Sequence, residues 1–140
     1  MDIQVAVLCD AATDNNSKLN ILGTFDTIYA AHLPVTHPQC SIAIRMTFSK
    51  AEEGSHKVTL NFMDEDGKPV MPPIPPMPVE VAVPDETMFL SRNIIVNIQK
   101  LRFEKEGLYS IEIALDGRQE RSIPLLVKVA PQLRASPPPQ

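Results

Sequence analysis

Residues 94–129, IIVNIQKLRFEKEGLYSIEIALDGRQERSIPLLVKV, decide the fold class of this chain. In the centre of the stretch, apolar and polar residues alternate, as they do in a β-strand with one buried face. The apolar positions are Tyr109, Ile111, Ile113 and Leu115, and the positions between them are Ser110, Glu112 and Ala114. Asp116-Gly117 suits a tight turn, because both residues tolerate positive backbone φ angles. A further alternating run begins at Ile123, so the stretch predicts consecutive antiparallel strands.

Short runs of the same kind cover the rest of the chain. They lie at residues 2–9, 19–22, 24–30, 41–49, 58–62 and 79–83. No stretch of ten or more residues has a helical apolar period, so we expect minimal helix. About eight or nine short strands separated by turn signals predict an all-β fold, an antiparallel β-sandwich.

Several local features refine this prediction. Gly23 should mark a bend where the chain crosses between sheets. The polar residues 10–18 and the proline-bounded residues 32–40 are expected to be loops. The apolar parity changes after Ile98, which predicts that the strand ends or bulges near Gln99–Lys100.

Length and composition suit a soluble globular protein with one domain. We expect that domain over residues 1–130, followed by a proline-rich tail at residues 131–140. A net charge of −4 with scattered Lys and Arg argues against nucleic-acid binding. The sequence has no signal-peptide pattern and no apolar run long enough to cross a membrane, and its two cysteines are too few for a secreted disulfide framework. These features predict a cytoplasmic location and no membrane partner, and they leave open whether Cys9 and Cys40 pair.

Part of the C-terminal stretch resembles immunoglobulin-like sandwiches. Ile98-x-x-Leu101, followed by residues 106–111 (EGLYSI), is similar to the corner between their fifth and sixth strands, where a tyrosine hydroxyl bonds to nearby backbone. Ile111 stands where an antibody domain has its second core cysteine, and the chain contains no tryptophan. The resemblance therefore implies an Ig-like or C2-like sandwich but not an antibody-type domain.

The chain also resembles a family of small uncharacterised bacterial proteins of about this length. The similarity lies in Cys9-Asp10, residues 18–28 (KLNILGTFDTI), Pro34, the strand at residues 42–48 and residues 64–67 (DEDG). It implies a bacterial cytoplasmic β-domain and no catalytic residue.

One group of side chains suggests metal chemistry. His32, His37 and Cys40 carry imidazole and thiolate ligands that suit zinc, with Cys9 and Asp10 as possible further ligands. Their spacing matches no familiar zinc finger or ribbon. The alternative is a proline-bounded surface loop that carries two histidines.

Two polar groups and one proline-rich segment are further candidates. Asp10, Asn20 and Asp26 could line a polar pocket. Residues 64–66 (DED) could form an acid/base cluster, but a tight turn is the simpler interpretation. Residues 69–84 hold seven of the fourteen prolines and could serve as a ligand for an aromatic-lined groove, or as a stiff crossing packed down by its apolar side chains.

The sequence carries no phosphate-binding, dinucleotide-binding or hydrolase motif. We therefore expect no cofactor and a non-enzymatic module that binds protein, either a second copy or another chain, through a sheet edge or its loops. The alternative function is a small-molecule or zinc site in residues 32–40, which could be enzymatic.

Overall fold

The fold is an all-β sandwich, as the sequence predicts. The computed structural model describes residues 1–130, so the predicted tail lies outside the described residues, and the prediction of a single domain over residues 1–130 stays a prediction. The nine strands are β1 (Asp2–Asn15), β2 (Lys18–Thr24), β3 (Thr27–Ala30), β4 (Val35–Ser49), β5 (Gly54–Met63), β6 (Met77–Val81), β7 (Phe89–Phe103), β8 (Gly107–Leu115) and β9 (Arg118–Val129). A single 3-10 turn at Lys50–Glu52 is the only helical element within this part of the chain.

The strands form two sheets. The first has the order β2-β1-β4-β7 and the second β3-β9-β8-β5-β6. All neighbouring strands are antiparallel except β3 and β9, which are parallel. The chain crosses between the sheets at Phe25–Asp26, two residues after the predicted bend. The Phe25 amide donates to the Leu8 carbonyl oxygen in the first sheet (3.0 Å), and the Asp26 carbonyl oxygen accepts from the Leu126 amide in the second (2.8 Å).

The core lies between the two sheets. The predicted inward residues of β8 are buried, with Ile111 and Ile113 fully inaccessible, and β4 contributes a continuous row of buried side chains on its inner face. Burial of apolar surface is the main stabilising contribution, at about 25 cal/mol per Å² removed from water. The regular alternation in sequence thus corresponds to the inner face of the sandwich.

The expected loop at residues 10–18 is wrong. β1 continues to Asn15, and only Asn16 and Ser17 form the turn, with φ angles of 54° and 62°. Two successive positive φ angles are typical of a two-residue hairpin turn that matches the strand twist. The Arg45 guanidinium donates to the carbonyl oxygen of Ser17 (2.8 Å) and to Oδ1 of Asn93 (2.7 Å), so the hairpin tip is fixed to the first sheet.

The expected loop at residues 32–40 is also largely wrong, because β4 begins at Val35. β1 pairs with β4 only as far as Cys9 and Ser41, so residues 35–40 pair with β7 alone. Proline is tolerated where one side of a strand has no ladder, which explains how Pro38 lies within a strand.

The predicted irregularity in β7 is present, although the strand does not end there. Lys100 has a φ of +55°, and the buried positions change from Ile98 to Leu101 and Phe103 across it. The ladder with β4 continues on both sides, with Gln39 opposite Gln99 and His37 opposite Leu101. The parity change in the sequence therefore marks a local distortion within one long strand.

Tyr109 fastens the connection between β7 and β8. Its ring is buried and lies edge-on to Phe103, with ring centroids 4.9 Å apart. Its hydroxyl donates to the carbonyl oxygen of Lys105 at 2.6 Å. A carbonyl oxygen can only accept, so the hydroxyl is the donor, and burial of the phenol raises its pKa above the ordinary value.

Tyr109→Phe should lower the free energy of unfolding by about 1 kcal/mol, because it removes one hydrogen bond and leaves the Lys105 carbonyl without that donor. Tyr29→Phe is the matched control, since Tyr29 is 61% exposed. Urea unfolding of both variants measures the difference. Equal stabilities for the two variants would contradict a fastening role for the Tyr109 hydroxyl.

Candidate functional site

The three predicted zinc ligands lie in different environments. Cys40 is fully buried in the core, and that burial raises the pKa of its thiol to about 11. His37 is half-buried on β4, with its ring centroid 5.4 Å from that of Phe25, whereas His32 is exposed before the strand. Within residues 1–130, no three His, Cys, Asp or Glu side chains are grouped so that they could hold a metal ion. The zinc site therefore stays a prediction without support from the geometry.

Cys9 does not complete such a site. It pairs with Ser41 across β1 and β4, and its thiol contacts the Ser41 carbonyl oxygen at 3.5 Å. Because successive strand residues point to opposite faces, Cys9 and Cys40 lie on opposite sides of the first sheet. Both thiols are free, and burial raises both pKa values. Neutral buried thiols are poor nucleophiles and poor metal ligands.

The predicted polar pocket is not assembled from all three of its residues. Asp10 lies against Gly23, so close that a Cβ at that glycine would be 2.5 Å from Asp10 Oδ2. Asn20 lies opposite Thr13 in the hairpin and donates to the Lys18 carbonyl oxygen at 3.2 Å. That position is about 10 Å along the strand from Gly23, at roughly 3.3 Å per residue. The hairpin therefore separates Asn20 from Asp10.

Asp26, the third member, lines a cavity of its own. The cavity has a volume of about 300 Å³ and lies at the seam between the sheets, beside Phe25 and Pro124. Neither Asp10 nor Asn20 lines it. Asp26 Oδ1 accepts a hydrogen bond from the Thr27 hydroxyl at 2.9 Å, so the carboxylate has a local partner.

His56 has the most specific contacts of the three histidines, and sequence reasoning missed it. Nδ1 lies 2.7 Å from Asp116 Oδ2, Nε2 lies 2.6 Å from the Glu52 carbonyl oxygen, and the ring stacks on Phe48. The hydrogen bonds from His56 and from the Lys57 amide hold the pKa of Asp116 below its ordinary value. Both ring nitrogens face acceptors within the fold and neither contacts a nucleophile, so the pair fastens the β8–β9 turn to β5. Its sequence signal is weak, because the partners are 60 residues apart.

The acidic residues 64–66 form a turn, in agreement with the simpler interpretation. Asp64 Oδ1 accepts from the amides of Asp66 and Lys68, both at 2.9 Å. These bonds, with that from Lys68 as the larger cause, lower the pKa of the Asp64 carboxyl. The carboxylate therefore caps its own turn.

An exposed apolar row lies on the outer face of the second sheet. Thr27 is opposite Leu126, which is opposite Leu108, and Tyr29 lies next to this row. Tyr29, Leu108 and Leu126 are 61%, 52% and 38% exposed. A cavity of about 450 Å³ beside Leu108 also contains Ser110 and Ser122. Asp64 and Glu65 also line this cavity, and the Ser122 hydroxyl donates to Glu112 Oε2.

The open edge of β7 is the most extensive unpaired backbone in residues 1–130. β7 ends the first sheet and pairs on one side with β4 from residue 89 to residue 103. The other three terminal strands are shorter: β2 has seven residues, β3 has four, and β6 has five and contains a proline. No backbone bond outside the β4 ladder involves β7 in the described residues. Alternate amides and carbonyls of β7 therefore remain available to a further strand.

The side chains along this edge are suited to contact. Ile95 lies on the outer face of the sheet, half-buried, between Asn93 and Asn97 on the same face. Asn97 accepts a hydrogen bond from the buried Ser41 hydroxyl at 2.6 Å, which fixes its position. Phe89, at the beginning of the strand, is 59% exposed. Long edges with apolar side chains are the usual sites of strand pairing between chains.

Comparison with known proteins gives a family but no activity. A family model described as "Family of unknown function (DUF6941)" matches residues 4–128. No curated protein and no solved structure matches the chain. No helix within the described residues is both long and apolar enough to cross a membrane.

Proposed function

This chain belongs to that family of unknown function, and we propose that it is a non-enzymatic protein-binding module whose binding site is the open edge of β7. The observation that carries the proposal is the length of this edge, since β7 has 15 residues paired on one side only. An extended partner strand would continue the first sheet by main-chain hydrogen bonds, and the side chains beside the edge would supply specificity.

The partner that we propose is a second copy of the chain, because the residues of two paired β7 strands can be matched one by one. Two antiparallel β7 strands related by a two-fold axis at Ile95 place Ile95 opposite its counterpart and Asn93 opposite Asn97. Apolar then meets apolar at Ile95, which is a favourable cross-strand pair. Asn93 is held within its own copy, where its amide group donates to Asp14 Oδ2 (3.0 Å) and to the Ser17 carbonyl oxygen (3.2 Å), so the two asparagines bring no charge to the axis. The same register places Arg92 opposite Ile98 and Lys100 opposite Leu90, so no like charges face each other.

We propose in addition that the module has an Ig-like topology and that it acts in a bacterial cytoplasm. An Ig-like topology is supported by the parallel pairing of β3 with β9 at the border of the second sheet and by the Tyr109 bond between β7 and β8. A bacterial cytoplasmic origin rests on the sequence resemblance, and the two free cysteines agree with a reducing compartment.

Opposite charges at Ile95 test the pairing directly. Ile95→Glu and Ile95→Lys should each abolish self-association, because each places two like charges opposite one another at the axis. An equimolar mixture of the two variants should restore a dimer that contains one copy of each. Sedimentation equilibrium and native mass spectrometry of the separate and mixed proteins measure this.

Val7→Glu is the matched control. Val7 and Ile95 both pair with Ala43 and lie in one row of the same outer face, but Val7 belongs to β1 and not to the open edge. The control should dimerise as the wild type does. A wild-type monomer at all concentrations, with rapid hydrogen exchange at alternate β7 amides, would reject the second copy as partner. A stoichiometric zinc ion in the native mass spectrum would instead favour the site at residues 32–40.

A further inference from the structure

The proline segment, residues 71–77 (MPPIPPM), has a three-residue repeat of burial. Met71, Ile74 and Met77 are half-buried and pack against the core. The proline pairs between them, Pro72-Pro73 and Pro75-Pro76, are exposed. A period of three is neither that of a strand nor that of an α-helix, but it is the period of the polyproline II helix.

The composition of the segment imposes this conformation. Each proline fixes its own φ near −65°, and each residue before a proline is restricted to extended ψ values. The prolines of the segment follow trans peptide bonds, since the one cis bond in residues 1–130 is Leu33–Pro34. The chain bends at residues 70–72 and enters β6 at Met77, and residues 73–76 between them belong to no strand and no turn, so the polyproline II conformation is confined to residues 73–76. A polyproline II helix makes no internal backbone bonds, which agrees with this assignment.

With three residues per turn, the polyproline II helix has three sides. The apolar side packs against the core, and the prolines occupy the other two sides. The Val70 amide, at the beginning of the segment, donates to the Phe62 carbonyl oxygen at 3.1 Å, and Met77 begins β6 at its end. Both ends are therefore held by the second sheet. The packing of the apolar side chains agrees with the stiff crossing that the sequence suggests. Pro73 and Pro76 nevertheless face solvent, and their spacing is P-x-x-P.

We propose that the exposed face of the proline segment is a docking ligand for a protein that has an aromatic-lined, polyproline-binding groove. Such grooves take pairs of prolines from a preformed polyproline II helix. A free peptide loses conformational entropy when it adopts this helix, whereas here the fold has already ordered it. The fold thus presents the ligand in its binding conformation.

The absence of charge along the segment restricts the kind of groove that could bind it. Residues 69–79 contain no charged side chain, so recognition depends on the packing of proline rings on aromatic side chains. Contacts of this kind depend weakly on ionic strength, in contrast to exposed ion pairs. The partner groove is therefore apolar and aromatic and needs no acidic patch to receive a basic flanking residue.

The test uses the full-length protein, labelled with 15N, titrated with isolated SH3, WW, EVH1 and profilin domains as probes. At least one probe should shift the amide resonances of Met71, Ile74 and Met77 at both low and high salt. Pro73→Ala/Pro76→Ala should weaken that binding about tenfold or more. Pro124→Ala is the matched control, because Pro124 is an exposed proline on β9 outside the segment, and its affinity should equal that of the wild type.

Two results would overturn the proposal. One is the absence of binding by every probe, and the other is unchanged binding by the double variant. The thermal unfolding of each variant shows whether its fold is retained, and Pro73→Ser/Pro76→Ser provides a second double variant if the first is unstable. Because β7 is not part of the segment, the dimer measurements and this titration can fail independently.

Discussion

Phe103→Ala should lower the free energy of unfolding by about 4 kcal/mol, which is the middle of the range for an aromatic residue removed from a packed core. Phe103 is 1% exposed, and its ring packs against those of Phe62 (centroids 6.2 Å apart) and Tyr109 (4.9 Å). The substitution removes both aromatic contacts and leaves a cavity between the sheets. Urea unfolding followed by circular dichroism measures the loss.

The control for this prediction lies at the other end of the same strand. Phe89 is 59% exposed, so Phe89→Ala should cost less than about 1 kcal/mol, as is usual for a surface substitution. The difference between the two losses in stability tests whether the part of β7 that follows Lys100 packs into the core. Equal costs at the two positions would mean that residues 101–103 are not packed between the sheets.

Gly23→Ala should lower the free energy of unfolding by about 2 kcal/mol, because the strain of a positive φ and the displacement of Asp10 add. Gly23 has a φ of +69°, a region that disfavours alanine, and the new Cβ would lie 2.5 Å from Asp10 Oδ2 and 3.0 Å from its Cγ. The Asp10 side chain must therefore move out of its position against β2. Denaturant unfolding measures the cost.

Gly117→Ala separates the two penalties. Gly117 has a φ of +82°, and no atom of another part of the chain lies within 4 Å of the place that a Cβ would occupy. Its substitution should therefore carry only the backbone cost, about 1 kcal/mol. Asp10→Ala/Gly23→Ala should cost less than the sum of its two single changes, since Asp10→Ala removes the carboxylate that the new Cβ meets. Equal costs for the two single variants would show that the Asp10 contact adds nothing.

The fold class can be predicted because its signal is local. The period of two over residues 109–115 follows from the geometry of a single strand, and the buried face of β8 agrees with it residue by residue. The Asp116-Gly117 turn has the expected positive φ angles, 50° and 82°. These features need no information from distant residues, so the sequence by itself determined the all-β sandwich, the C-terminal hairpin and the irregularity at Lys100.

The candidate sites cannot be predicted in the same way, because they depend on partners far apart in the chain. Residues 10–15 are polar and predict a loop, yet they form a strand because β2 satisfies their backbone groups. His56 gives no signal of its own in the sequence, because Asp116 is 60 residues away. Cys40 is close to His37 in sequence, but the strand they share directs its thiol into the core.

The tertiary structure alone decided which strand ends each sheet and which side of the proline segment faces solvent. An edge is defined by the strands that do not pair with it, and alternation in β7 is the same whether it has one neighbour or two. The sequence determined that β7 and the proline segment are extended. Packing decided that β7 has an open edge and that Pro73 and Pro76 point outward, because these properties arise only when the two sheets come together.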